Sequence, residues 1–152
     1  MNNFPKADNT KIRIAVVGCG RIAKNHFDSI AQYSDDLTLK AICDSDTLAL
    51  NHAKKQFNVN AYIDIREMLK NENLDLVVLC TPSGLHSKQA ILCARSGVHV
   101  ISEKPMATRY QDGLDMVNAC DTEGVRLFIV KQNRHNATLK LLKRAVDENR
   151  FG

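Results

Sequence analysis

Tryptophan is absent, and aromatic residues together make up only 5% of the chain. A nucleic-acid reader combines clustered Lys and Arg with stacking aromatics. Here the 21 basic residues are scattered, and against 17 acidic ones they leave a formal charge of only +4. That balance is mildly favourable to phosphate and predicts no nucleic-acid partner. Long apolar runs are missing too. Leu76 to Cys80 falls far short of the roughly 18 residues a bilayer-spanning helix requires, and the N-terminus has no apolar signal-like stretch. Membrane and export roles are therefore not expected, and the reading is cytoplasmic. No C-x-x-C pair occurs among Cys19, Cys43, Cys80, Cys93 and Cys120. Five cysteines in apolar settings predict reduced thiols, with neither a metal site nor a disulfide framework. Internal short-period repeats and low-complexity tracts are also lacking.

What is present is the material of one folded unit. The chain has 152 residues, 44% hydrophobic and 25% charged, close to the soluble globular average and enough to bury a core. Met1 to Thr10 is polar and aperiodic and reads as a disordered leader. Then β-branched runs alternate with helical patterns. Strands are expected at Ile12 to Val17, Leu37 to Cys43, Asn60 to Tyr62, Leu74 to Cys80, Val98 to Ser102 and Arg126 to Val130. Helices are expected at Ile22 to Tyr33, Thr47 to Phe57, Ile65 to Lys70, Gly84 to Ser96 and Arg109 to Glu123, with a last one at Asn136 to Asn149 carrying Leu139, Leu142 and Val146 on one face. Asp64 with Glu67, and Thr108 with Gln111, match the spacing of helix N-caps. Gly97 and Gly124 fall just past helix ends, where a left-handed residue is expected. Strand and helix in repeated alternation imply parallel pairing with right-handed crossovers. Continuous apolar runs such as Ala15-Val16-Val17 fit strands covered on both faces. The expected fold is a doubly wound α/β parallel sheet of the Rossmann type, strand order 3-2-1-4-5-6. Residues 11–135 form the dinucleotide-binding domain and 136–152 a helix beyond it.

Gly18-Cys19-Gly20-Arg21-Ile22-Ala23 is G-x-G-x-x-A between the first strand and the first helix. Gly18 can make the tight turn, Gly20 lets backbone approach a pyrophosphate, and Ala23 lets the helix lie close to the strand. Backbone N–H groups of the following residues, Arg21 and Ile22 among them, then face the phosphates, where the helix dipole favours negative charge. The plainer reading is a turn that merely joins strand to helix. Asp44 ends the second strand, 26 positions after Gly18, and its carboxylate suits ribose hydroxyls and repels a 2′-phosphate. No arginine adjoins Ser45-Asp46, so NAD is favoured over NADP. Alternatively Asp44 caps the second helix, although Asp46 can take that part.

The fourth strand runs into Thr81-Pro82-Ser83-Gly84-Leu85-His86 and the fifth into Glu103-Lys104-Pro105. Both segments fall at carboxyl ends of strands, where open α/β sheets bind ligands. The combination of G-x-G-x-x-A, T-P-S-x-x-H and E-K-P resembles the Gfo/Idh/MocA family of glucose-fructose oxidoreductase, inositol dehydrogenase and rhizopine catabolism proteins, from Lys11 to the C-terminus. Within it, Lys131 to Asn136 followed by a helix and Arg150-Phe151-Gly152 resembles the nucleotide-sugar dehydrogenases of lipopolysaccharide O-antigen synthesis. That resemblance implies oxidation of a ring hydroxyl on a UDP-linked N-acetylated sugar or its uronate, with hydride passing to NAD. It implies that Lys104 holds the reacting hydroxyl and moves its proton, a role an amine can fill when a neighbouring cationic ring disfavours its own charge. Pro105 restricts the backbone of Lys104. Glu103 is implied near the nicotinamide ribose; Thr81, Pro82, Ser83 and His86 along the cofactor groove; Asn133 and Arg134 toward the substrate. The bland alternatives are a solvated lysine and arginine, a helix entry at Thr81 to Ser83, and a polar first-turn histidine. His26, His52 and His99 read as structural, and Cys19 as a packing residue.

The family resemblance also implies a second α+β domain, bearing an Asp and a His on one helix, that is missing from these residues, and a full-length parent that is a homo-oligomer. The expectation is a fragment that binds NAD and by itself turns over little substrate. Competing functions are a same-family dehydrogenase, or a dehalogenating enzyme, of a free sugar or polyol; a noncatalytic NAD-sensing module, against which Lys104 argues; and a methyltransferase, which shares the glycine turn and the acid.

Overall fold

The computed structural model describes residues 11–151; the expected leader, Met1 to Thr10, lies outside them. Six parallel strands, β1 (Ile12–Val17), β2 (Leu37–Cys43), β3 (Asn60–Tyr62), β4 (Leu76–Leu79), β5 (His99–Ser102) and β6 (Leu127–Ile129), form one sheet in the order β3-β2-β1-β4-β5-β6. The helices are α1 (Ala23–Gln32), α2 (Thr47–Phe57), α3 (Ile65–Asn71), α4 (His86–Arg95), α5 (Tyr110–Thr122) and α6 (Ala137–Asp147), with short 3-10 helices at Ser83–Leu85 and Gln132–His135. This is the expected doubly wound sheet.

Successive residues of a strand point to opposite faces, and the core divides accordingly. Ala15 and Val17 of β1, with Val77, Leu79 and Val100, pack against Ile65, Met68, Ala90, Cys93 and Met116 of α3, α4 and α5. Ile14 and Val16, with Ile42 and Val78, pack against Ala23, Phe27, Ile30, Leu50 and Ala53 of α1 and α2. Both faces are thus covered, which is why β1 and β4 read as unbroken apolar runs rather than alternating ones.

Helix entries follow local chemistry. Asp46 and Asp64 cap α2 and α3, Asp46 accepting from the N–H groups of Leu48 and Ala49 and Asp64 from those of Arg66 and Glu67. Asn136 caps α6 in the same way. The cap expected at Thr108 is not made. The chain enters α5 extended through Arg109, which occupies the cap position without a side-chain bond, and Gln111 instead donates to Asp115 at 2.7 Å. Thr108 therefore stands outside the first turn. Gly97 and Gly124 take the left-handed conformation, at φ +73 and +66.

Strand ends are trimmed relative to expectation. Leu74 and Cys80 are buried but flank the ladder of β4. Asp75 accounts for one end: its carboxylate accepts from the backbone N–H of Arg13 at 2.7 Å and from the guanidinium at 2.6 and 2.9 Å. Arg13 holds this carboxyl below the usual range through that side-chain hydrogen bond, burial opposing it.

Candidate functional site

The order of the sheet reverses between β1 and β4, and a cleft of about 630 Å³ opens at their carboxyl ends. Gly18, Gly20, Asp44, Thr81 and Pro82 line it, together with Ser45, Ile63, Asp64, Ile65, Leu85 and Gln89. Two glycines at its edge serve different ends. Gly18 has φ +91, and a Cβ on it would meet the carbonyl carbon of Cys80 at 2.7 Å, so close approach of the β1 and β4 ends demands glycine. A Cβ on Gly20 would meet no atom within 4 Å. No protein neighbour requires glycine at position 20; the open space beside it faces the cleft.

α1 begins directly behind this loop, with Ile22 at its cap position and no side-chain cap among the described residues. Its first N–H groups therefore lack the carboxylate or amide oxygen supplied to α2, α3 and α6. Asp44 lines the same cleft beside the glycine loop. Its Oδ2 accepts from the N–H of Cys19 at 2.6 Å and its Oδ1 from that of Asp46 at 2.9 Å. The alternative role of capping α2 falls to Asp46. Each carboxylate oxygen can accept twice, so Asp44 retains capacity for donors such as ribose hydroxyls while bracing the glycine loop.

The Cys19 thiol is pushed up to about 12, by burial first and then by the negative charge of Asp44. Burial first, then the charge of Glu103, pushes Cys80 up to about 12. Both stay protonated at neutral pH and are poor nucleophiles, which matches the packing role expected for Cys19. Among the described residues no group of His, Cys, Asp and Glu could hold a metal ion, and no helix is long and apolar enough to cross a membrane.

The T-P-S-x-x-H segment divides. Thr81 and Pro82 line the cleft, and the Thr81 hydroxyl bonds the Gln89 side chain. Ser83 starts the 3-10 helix and stands outside the lining. His86 was expected along the groove; it is instead 1% exposed, with Nδ1 2.9 Å from the carbonyl oxygen of Pro105 and Nε2 2.8 Å from that of Thr81. A side chain with two ring nitrogens can bridge two carbonyls, and here it ties the loop after β4 to the loop after β5.

Glu103 is buried, its Oε1 2.8 Å from His26 Nε2. Lys104 is exposed between Glu103 and Pro105, and the Lys104-Pro105 peptide bond is cis. Arg21 is exposed and Ile22 packs beside the α1–α2 face of the core. Asn133 and Arg134 lie exposed in the 3-10 helix after β6. Sequence reasoning missed Ser45, Ile63, Asp64, Ile65, Leu85 and Gln89 as lining residues. Ile63, large, apolar and 62% exposed at the end of β3, carried the available signal: β3 opens onto the same rim. His26, read as structural, proves to contact a candidate site residue.

Residues 12–131 match the GFO_IDH_MocA family, described as an oxidoreductase family with an NAD-binding Rossmann fold. The chain is 54% identical, with a TM-score of 0.90, to the WlbA dehydrogenase from Bordetella pertussis solved in complex with NADH and UDP-GlcNAcA, over 94% of this chain and 44% of that one. It is 49% identical, with a TM-score of 0.94, to the WlbA dehydrogenase from Chromobacterium violaceum solved with the same two ligands, over 100% of this chain and 44% of that one. A myo-inositol 2-dehydrogenase from Thermotoga maritima is 33% identical over 93% of this chain and 42% of its own length. The chain thus spans about two fifths of the relatives it matches.

Proposed function

The chain belongs to the Gfo/Idh/MocA oxidoreductases, and from that membership we propose that it is the coenzyme-binding part of a dehydrogenase that oxidises a ring hydroxyl of a UDP-linked N-acetylated sugar or its uronate. The supporting observation is the 54% identity, across 94% of the chain, to a dehydrogenase solved with NADH and UDP-GlcNAcA. The cleft fits a dinucleotide on its own terms. Gly20 borders space that no protein atom needs, α1 begins behind it without a side-chain cap, and Asp44, bonded to the Cys19 N–H of the same loop, keeps spare acceptor capacity.

In this reading the glycine loop and the N–H groups of Arg21 and Ile22 hold the diphosphate. Asp44 receives the adenosine ribose hydroxyls and repels a 2′-phosphate, favouring NAD. Thr81 and Pro82 form the opposite wall, while Glu103 orders the nicotinamide end. NAD supplies the hydride acceptor. The Lys104 amine binds the sugar hydroxyl and carries its proton away as the carbon–hydrogen bond breaks. Asn133 and Arg134 approach the sugar from the segment after β6. His86 contributes by fixing the Thr81 and Pro105 loops rather than by touching ligand. Residues 11–135 act as the dinucleotide-binding domain, and α6 (Ala137–Asp147) follows it.

The described residues line a coenzyme cleft, and the chain spans 44% of the length of the Bordetella pertussis dehydrogenase it matches. Positioning of substrate supplies much of an enzyme's rate, so the 152 residues alone turn over little UDP-sugar. The likeness to myo-inositol 2-dehydrogenase favours a free polyol as the second reading. Calorimetric titration with NADH and NADPH, followed by turnover with the UDP-uronate and with inositol, tests both. Tight NADH binding with little turnover is expected. Absence of heat from folded protein overturns the coenzyme assignment, and robust oxidation by the 152 residues overturns the dependence on further surface.

A further inference from the structure

Glu103 is 6% exposed and immediately precedes the exposed Lys104. An ionised carboxylate withdrawn from water is costly unless hydrogen bonds replace its hydration. Two bonds do so. Oε2 accepts from the backbone N–H of Lys104 at 3.3 Å, a bond within the loop itself. Oε1 faces His26 Nε2 at 2.8 Å, across 77 positions of sequence. His26 is the fourth residue of α1, one turn behind the glycine loop. One hydrogen bond thus fastens the segment carrying Lys104 to the helix whose N-terminus borders the cleft.

The surrounding contacts make this bond decisive for Lys104. The N–H of Glu103 donates to Leu79 O at 3.0 Å, and its carbonyl accepts from the Ser102 hydroxyl at 3.1 Å. On the far side His86 holds the Pro105 carbonyl at 2.9 Å. Lys104 is therefore an exposed residue between two anchored neighbours, and the Glu103 carboxylate is the anchor whose partner lies on α1, the helix behind the glycine loop.

We infer that His26 is a positioning residue for Lys104, acting through Glu103: the imidazole N–H fixes the carboxylate, and the carboxylate fixes the backbone from which the amine reaches the crevice. The inference rests on the role given to Lys104 above and requires no contact between His26 and the coenzyme. Without the donor, Oε1 is unpaired in a place shielded from water, so the carboxylate turns outward and the loop moves with it. A glutamine amide at position 26 can place a donor near the position of Nε2; leucine fills similar volume with none.

The test compares the wild-type chain with His26→Gln and His26→Leu by amide hydrogen exchange and NADH titration. In H26L, exchange at Glu103 and Lys104 is expected to quicken and the NADH Kd to weaken, each about tenfold. Core amides at Val16 and Val78 should stay unchanged, and H26Q should return both readouts to within about threefold of wild type. Unchanged loop exchange in H26L overturns the inference. So does an equal rise at Val16 and Val78, which marks general destabilisation, and so does H26Q behaving as H26L. If the wild type gives no NADH response yet the amide pattern holds, the coenzyme reading falls and the His26–Glu103 tie stands. Tight NADH binding with loop exchange indifferent to position 26 is the converse.

Discussion

At the scale of single residues, Asp44 shows how one carboxylate serves architecture and recognition together. It braces the glycine loop through the Cys19 N–H while its negative charge occupies the rim of the cleft. Asp44→Asn retains the shape, removes the charge and weakens acceptance from two N–H donors. NADH affinity is expected to fall about tenfold while NADPH affinity falls less or rises, narrowing the discrimination; fluorescence titration with both coenzymes reads this. Asp44 was legible because its place at the end of the second strand follows from spacing, and Asp46 was legible as the rival cap. His86 was legible as a polar residue near the crevice but not as a buried bridge. Its two acceptors, on Thr81 and Pro105, meet only when β4 and β5 align, and no local pattern encodes that. The same holds for His26 and Glu103.

At the scale of elements, the two glycines make separable claims. Gly18→Ala sets a Cβ against the Cys80 backbone at 2.7 Å and strains a φ of +91. It should cost about 3 kcal/mol of stability. Gly20→Ala meets no protein atom within 4 Å and should change stability by no more than about 0.5 kcal/mol, yet weaken NADH binding about tenfold or more. Thermal unfolding with and without NADH separates the two effects. The Arg13–Asp75 bond joins β1 to the approach of β4. Folding lowers the Asp75 pKa, so its contribution is whole above the unfolded value near about 4. It is lost as pH falls toward the lowered native value. Denaturant midpoints measured between about pH 6 and 2.5 should converge for wild type and Asp75→Asn as the medium becomes acid. Element interiors were readable because apolar continuity marks doubly covered strands. Element ends were not: Arg13 and Asp75 set one boundary of β4, and the extended Arg109 displaced the entry of α5 from Thr108.

At the scale of the whole molecule, the sheet order places β1 between β2 and β4, which creates the crevice and fixes a sequence of assembly. Parallel neighbours cannot be joined by a tight turn, so each pairing waits for its crossover. As a ribosome delivers the chain, β1 can close on β2 once Cys43 has emerged. Its opposite rim then stays unpaired until Leu76–Leu79 arrive more than thirty residues later. That rim carries Ile14, Ala15, Val16 and Val17, all fully apolar. An uncovered apolar edge is a template for strands of other molecules. A nascent or refolding population therefore passes through an interval of intermolecular mispairing, and soluble yield on dilution from denaturant should decline steeply as protein concentration rises.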